Sequence, residues 1–264
     1  MFLFAFGLWF SMLEDRFIYY PDKQLIDKPQ NYSWPFEDVW LTTQDRVKLH
    51  AWWIGHSSLP ITVLFLHGNA GNISHRLDRL ASFGVLTVRF FMLEYRGYGQ
   101  SQGKPSEQGL YEDAQTAYRY LIGKGVNVKN LILFGESLGG AVAIDLAAKE
   151  KIGKVVVEST FTSIREMAKN VMPFVPISLV SDGFNSVEKL KRVRSSILIV
   201  HGSNDTLVPI EMGRRLFQAA NTPKLFYEVK GADHNDVYII GGEAYRRKLF
   251  TFLTQGETET YGIP

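Results

Sequence analysis

The sequence contains no cysteine. That excludes disulfides, thiolate nucleophiles and Cys-based zinc or iron–sulfur sites together, and it fits a reducing compartment. An excess of one charge is also lacking: 29 Lys and Arg against 27 Asp and Glu leave a net charge of +2, so the balance implies no nucleic-acid partner and no acidic substrate. There is no internal repeat and no low-complexity tract. No Gly-rich turn ends in the Gly-Lys-Ser/Thr of a phosphate loop, and no Asp, Glu and His cluster has metal-ligand spacing. No metal and no cofactor are therefore expected. A run long enough to cross a bilayer is missing too. The candidate, residues 1–13 (MFLFAFGLWFSML), spans about 20 Å as a helix, short of a hydrocarbon core about 30 Å thick. It lacks the basic start and small-residue cleavage site of a signal peptide.

Thirteen residues rich in Phe, Leu, Met and Trp are nevertheless costly to leave in water. The expectation is that residues 1–20 form an apolar N-terminal segment that associates with a membrane surface. The aromatic run Phe17, Ile18, Tyr19, Tyr20 would suit the interface. The alternative is an apolar cap packed on the domain, with the protein then cytoplasmic. Residues 21–264 read as one domain, since a chain that is 45% hydrophobic and 21% charged can bury a sizeable core. Oligomeric state is not legible.

Residues 39–42 and 48–54 are β-rich with a turn at 44–46, which predicts an antiparallel hairpin. Residues 61–66 are almost wholly apolar, as in a parallel strand covered on both faces. Thereafter helices (74–83, 107–122, 245–253) alternate with strands (86–95, 131–134, 154–158, 196–201, 225–229). Such alternation gives β-α-β units and a parallel sheet. Between 160 and 195 it loosens; Phe161 to Val171 suits a helix, and Pro173 and Pro176 break the run beyond it, so a minimal lid or rim is expected.

The chemistry centres on Gly135-Glu136-Ser137-Leu138-Gly139, entered from an apolar strand and left through the helix-forming run 141–148. A serine at a strand-to-helix turn is held in a strained backbone with its hydroxyl exposed, and the helix start favours a developing oxyanion. A serine nucleophile needs a base, and the base an orienting acid, which occur in the chain order serine, acid, histidine. Of six histidines, His50, His56, His67 and His75 precede Ser137 and His201 precedes the best acid. His234 is left as the base. Asp205 is the only carboxylate in the loop 201–209 and is read as the acid; Asp233 and Asp236 are too close to His234 in sequence to reach its ring squarely. The oxyanion-hole N–H groups are assigned to Leu138 and, in the loop His67-Gly68-Asn69-Ala70-Gly71-Asn72, to Asn69. His67 is expected to orient that loop, and Arg96, Tyr95 and Tyr98 to brace the nearby loops.

These motifs resemble those of the α/β-hydrolase superfamily over nearly the whole chain. Within it, residues 67–72, Tyr95-Arg96-Gly97-Tyr98-Gly99, residues 135–140, Glu158-Ser159-Thr160-Phe161-Thr162-Ser163 and His201-Gly202-Ser203-Asn204-Asp205 resemble the Bem46-like serine hydrolases. The resemblance implies an α/β-hydrolase fold: a mostly parallel sheet with an antiparallel N-terminal hairpin and helices on both faces. It also implies an N-terminal membrane anchor and relatives that remove acyl groups from lipidated proteins. The sequence departs from the pattern in its short anchor and in Arg89, a charge in an otherwise apolar strand. The activity expected is hydrolysis of esters or thioesters through an acyl-enzyme, on acylated lipid or protein substrates. The rivals are a serine peptidase of the same fold and a catalytically silent membrane-bound scaffold.

Overall fold

The computed structural model describes residues 16–82, 87–172, 174–221 and 223–254. The run 1–13, the helix stop near Gly84, Pro173 and the chain after 254 lie outside them. Among the described residues the hairpin forms as β2 (Phe36–Thr42) against β3 (Lys48–Ile54), antiparallel, with Val39 opposite Ala51. The other strands of the main sheet are β4 (Thr62–Leu66), β6 (Arg89–Leu93), β7 (Leu131–Glu136), β8 (Lys154–Glu158), β9 (Ser196–Gly202) and β10 (Lys224–Val229). Their order is β10-β9-β8-β7-β4-β6-β3-β2, parallel from β10 to β6 and antiparallel from β6 to β2. This is the α/β-hydrolase fold.

Every residue of β4 is buried, as its unbroken apolar run requires. Alternate side chains serve opposite faces. Leu64 and Leu133 join one core cluster, under α2 (Glu107–Gly123) and α3 (Leu138–Lys149). Phe65 and Phe134 stack at 5.4 Å between centroids in the other, under α1 (Leu77–Ser82) and α7 (Val237–Thr254).

Some boundaries differ from the sequence reading. The 86–95 strand is regular only over Arg89–Leu93. Arg89 stands at its first residue and is half-buried, with Nη2 donating to Thr62 Oγ1 at 3.1 Å and the guanidinium 4.9 Å from the Trp53 ring. The charge is thus met at the sheet margin by a hydroxyl and an aromatic face. The closing helix begins eight residues earlier than expected, at Val237, and Gly242 interrupts it with φ 49°. Between 160 and 195 the rim consists of α4 (Ile164–Val171), a single 3₁₀ turn (Ile177–Leu179) and α5 (Ser186–Leu190). A further helix, α6 (Ile210–Ala219), has no counterpart in the sequence reading. Nor has a two-stranded parallel ladder of β1 (Tyr20–Pro21) with β5 (Ala70–Gly71). No described helix is long and apolar enough to cross a membrane.

Candidate active site

The loops after β4, β7, β9 and β10 meet at one end of the sheet. Ser137 comes directly after β7 with φ 51° and ψ −114°, a conformation that costs a non-glycine residue energy and persists only where its surroundings enforce it. They do so here. The Ser137 N–H donates to the Glu158 carbonyl at 2.8 Å, and the Ser137 carbonyl accepts from Thr160 Oγ1 at 2.7 Å and from the Gly140 N–H at 2.9 Å. A Cβ on Gly139 would overlap the Leu66 carbonyl, and one on Gly135 the backbone of Gly139. The two motif glycines therefore set how closely the elbow presses on β4.

His234 and Asp205 arrive from the β10 and β9 loops. His234 Nδ1 lies 2.9 Å from Asp205 Oδ2, and His234 Nε2 lies 3.1 Å from Ser137 Oγ. An ionised carboxylate only accepts, so Nδ1 carries the proton and Nε2 presents its lone pair to the serine hydroxyl. Such a chain can take the serine proton as the oxygen attacks. Burial alone would raise the Asp205 carboxyl; hydrogen bonds from His201 and His234, and from the Val208 N–H at 2.7 Å, outweigh it and hold the group well below the usual carboxylate range. Asp233 faces elsewhere: its Oδ1 accepts from the N–H groups of Thr206 (2.8 Å) and His234 (2.7 Å). Asp236 accepts from the Asp233 N–H at 2.7 Å.

Asn69 and Leu138 both line the cleft beside Ser137. His67 opens the loop that carries Asn69, with Nδ1 donating to the Gly68 carbonyl at 2.8 Å and Nε2 3.2 Å from Glu94. Tyr95 and Tyr98 reach the carbonyls of His67 (3.3 Å) and Asn69 (2.8 Å), and Arg96 pairs with Asp45 and Asp113. The bracing expected of this segment is present.

Two features escaped the sequence reading. His201 also touches Asp205: its Nε2 donates to the Val208 carbonyl at 2.8 Å and lies 3.4 Å from Asp205 Oδ2, the oxygen that His234 contacts. Beneath the elbow, buried Arg79 joins Glu136 (3.2 Å), Glu158 and the Tyr245 hydroxyl (3.0 Å), while Arg76 pairs with Glu136 at 3.0 Å. Burial would raise the Glu136 carboxyl, but Arg76 and Arg79 together lower it. The cleft above Ser137 measures about 380 Å³ and is walled by apolar groups such as Phe17, Phe161, Ile164, Met167 and Val175. Ile164, Met167, Ala168 and Val171 repeat at helical spacing on α4 and face it. Glu166 turns outward to Lys169 (2.8 Å) and Arg215 (2.7 Å). Among the described residues no group of three or more His, Cys, Asp or Glu is placed to hold a metal ion.

Residues 60–181 match the family described as Hydrolase_4, serine aminopeptidase, S33. The chain is similar to the α/β-hydrolase domain-containing protein WAV2 of Arabidopsis thaliana, 33% identical, with 91% of this chain and 87% of that protein covered. It is also similar to protein bem46 of Schizosaccharomyces pombe, 32% identical, with 90% and 83% covered. An esterase of Pyrococcus furiosus superposes with a TM-score of 0.75 at 20% identity, covering 89% of this chain and 97% of the other; at that identity the likeness is one of fold.

Proposed function

As the chain belongs to the α/β-hydrolase family of bem46 and WAV2, we propose that it is a serine hydrolase cleaving carboxylic esters or thioesters through an acyl-enzyme. The observation that carries this reading is the in-line contact of Ser137, His234 and Asp205 at 3.1 and 2.9 Å at the floor of an apolar cleft. His234 takes the hydroxyl proton as Ser137 Oγ bonds to the carbonyl carbon and the π pair moves to oxygen. The amides of Asn69 and Leu138 hold that oxyanion. Its collapse expels the alcohol or thiol, protonated by His234, and water deprotonated by His234 then releases the acid. The chemistry calls for no cofactor. The substrate is an acyl compound, free or carried on a lipid or protein. An aminopeptidase would need a carboxylate for the substrate ammonium, and among the described residues the cleft lining contains no charged side chain; this favours the acyl reading over the peptidase one.

The membrane belongs to the same proposal. The uncharged run 1–13 leads into Phe17 and Tyr20, 58% and 53% exposed on the cleft rim, where Val171 (54%) and Phe174 (97%) also stand in water. A lipid surface would cover both the run and the rim.

A fluorophosphonate probe should label the purified protein, and Ser137→Ala should lose both labelling and ester hydrolysis, by a factor on the order of 10⁶. Turnover of activated esters by Ser137→Ala at the parent rate would assign the nucleophile elsewhere. The full chain should float with liposomes, and a form starting at Glu14 should stay soluble with its activity on short esters intact. A full chain that stays wholly soluble, with the shortened form melting many degrees lower, would place the run on the domain instead.

A further inference from the structure

The loop that carries Asn69 is braced by the Tyr98 hydroxyl, which donates to the Asn69 carbonyl at 2.8 Å, and by the N-terminal segment. It succeeds β4, contains Gly71 at φ 78°, and its one ladder partner among the described residues is the two-residue strand Tyr20–Pro21, with Tyr20 beside Ala70 and Pro21 beside Gly71. Asn69 itself is clamped twice by this segment. The Tyr20 N–H donates to the Asn69 carbonyl at 2.9 Å, and Asn69 Nδ2 donates to the Ile18 carbonyl at 2.9 Å. The contact continues downstream, where the Asp22 N–H donates to the Gly71 carbonyl at 3.1 Å and Asn72 Nδ2 to the Gln24 carbonyl at 2.7 Å. Sequence explains why the segment suits the task. Tyr20 precedes a proline, which drives it into extended backbone, and Tyr19 is buried in the core as an anchor. The neighbouring side chains of Phe17 and Tyr20 face the cleft that holds Ser137.

We propose that residues 17–21 are a positioning strap for the oxyanion loop, holding the Asn69 peptide so that its N–H stays aimed at the oxygen of the Ser137 adduct, while Phe17 and Tyr20 wall the space for the acyl group. The proposal rests on the reading of Ser137, His234 and Asp205 given above. An oxyanion donor acts only within about 2.7–3.1 Å of the developing charge, and a misplacement of about 1 Å costs on the order of 10²-fold in rate. The charge exists in the transition state and not in the bound ester, so loosening the strap lowers kcat and spares KM. In sequence the strap follows the apolar run 1–13 after Glu14, Asp15 and Arg16.

The test uses the full chain, nitrophenyl esters and an alkyl boronic acid, which forms a tetrahedral adduct on the serine. Asn69→Ala removes the Ile18 contact, Tyr20→Pro removes the N–H to the Asn69 carbonyl, and Lys23→Ala, whose ammonium bonds to the Ser101 carbonyl outside the loop, is the control. Asn69→Ala and Tyr20→Pro should each lower kcat by about 10–100-fold and weaken the boronate by the same factor. KM should stay within about twofold in Asn69→Ala, whereas Tyr20→Pro, which also removes a cleft wall, is read on kcat and boronate binding alone; Lys23→Ala should match the parent throughout. Asn69→Ala leaves the backbone untouched, so it decides the matter if Tyr20→Pro fails to fold. Parent-like kcat in Asn69→Ala, or a fall in kcat with unchanged boronate binding, overturns the strap. A parent chain that neither hydrolyses esters nor takes a fluorophosphonate on Ser137 removes the reading of the centre and the strap with it.

Discussion

The elbow at residues 135–140 and the rim at residues 161–180 face each other across one cleft, and they are built on opposite principles. At the elbow few side chains are tolerated: Gly135 and Gly139 stand where any Cβ would meet backbone, and Ser137 sits at positive φ under three fixed hydrogen bonds. Backbone cannot move aside, so the residue types are dictated. At the rim only apolar character and approximate volume are asked for. Phe161, Ile164, Met167 and Val175 line the cleft with side chains that make no directional bonds, and hydrophobic walls of this kind accept substitution when volume is kept. On the proposed reading, the elbow would fix which bond breaks and the rim which acyl group is presented to it.

Three experiments break or sharpen that contrast. On the chemical side, Asp205→Asn should lower kcat by about 10⁴ with a small effect on folding, since an amide supports the wrong imidazole tautomer. Asp233→Asn, whose carboxylate bonds to loop N–H groups and not to the ring, should cost far less; steady-state kinetics of the pair would reassign the acid if the order were reversed. On the rim side, Val171→Trp should narrow the mouth and reduce kcat/KM for long acyl esters by about 10-fold, the scale on which apolar pockets discriminate. Acetyl esters should be spared. An equal loss on all chain lengths would mean that the rim governs the elbow as well.

The smallest effect is on acid stability. The folded Asp205 carboxyl lies below its ordinary value of about 3.9 because the hydrogen bonds from His201 and His234 prevail over burial. The stability it contributes is therefore complete above that ordinary value and drains as pH falls toward the folded value. Melting curves of the parent should approach those of Asp205→Asn below about pH 4. A gap that stays constant with pH would remove the linkage.

The same contrast explains what could be read from the sequence. Ser137, Asp205 and His234 were legible because chain order and turn chemistry leave few alternatives, and the structure brings those three side chains within hydrogen-bond reach. The main strands were legible because both-face burial leaves continuous apolar runs. α6 was not, since its helical pattern is interrupted by Gly213, where a Cβ would overlap the His201 ring; the glycine that reads as a helix breaker is there to admit the second histidine at the acid. β1 and β5 have two residues each, too few for any periodicity. Arg79 looks in sequence like one more solvated charge on a helix, and only the fold shows carboxylates from two strand ends converging on it.

Arg79 also gives the molecule an order in time. Its partners lie 57, 79 and 166 residues away along the chain, and the last of them, Tyr245, belongs to the closing helix. During synthesis Ser137 emerges long before that helix exists, at a stage when the Glu158 carboxylate still lacks the Tyr245 hydroxyl that bonds to it at 2.6 Å and His234 has not been made. Ser137 is thus laid down early but meets His234 and its charge-balanced floor together, in the final stretch of the described chain. A growing or C-terminally clipped polypeptide would carry Ser137 without the imidazole that lies 3.1 Å from its hydroxyl.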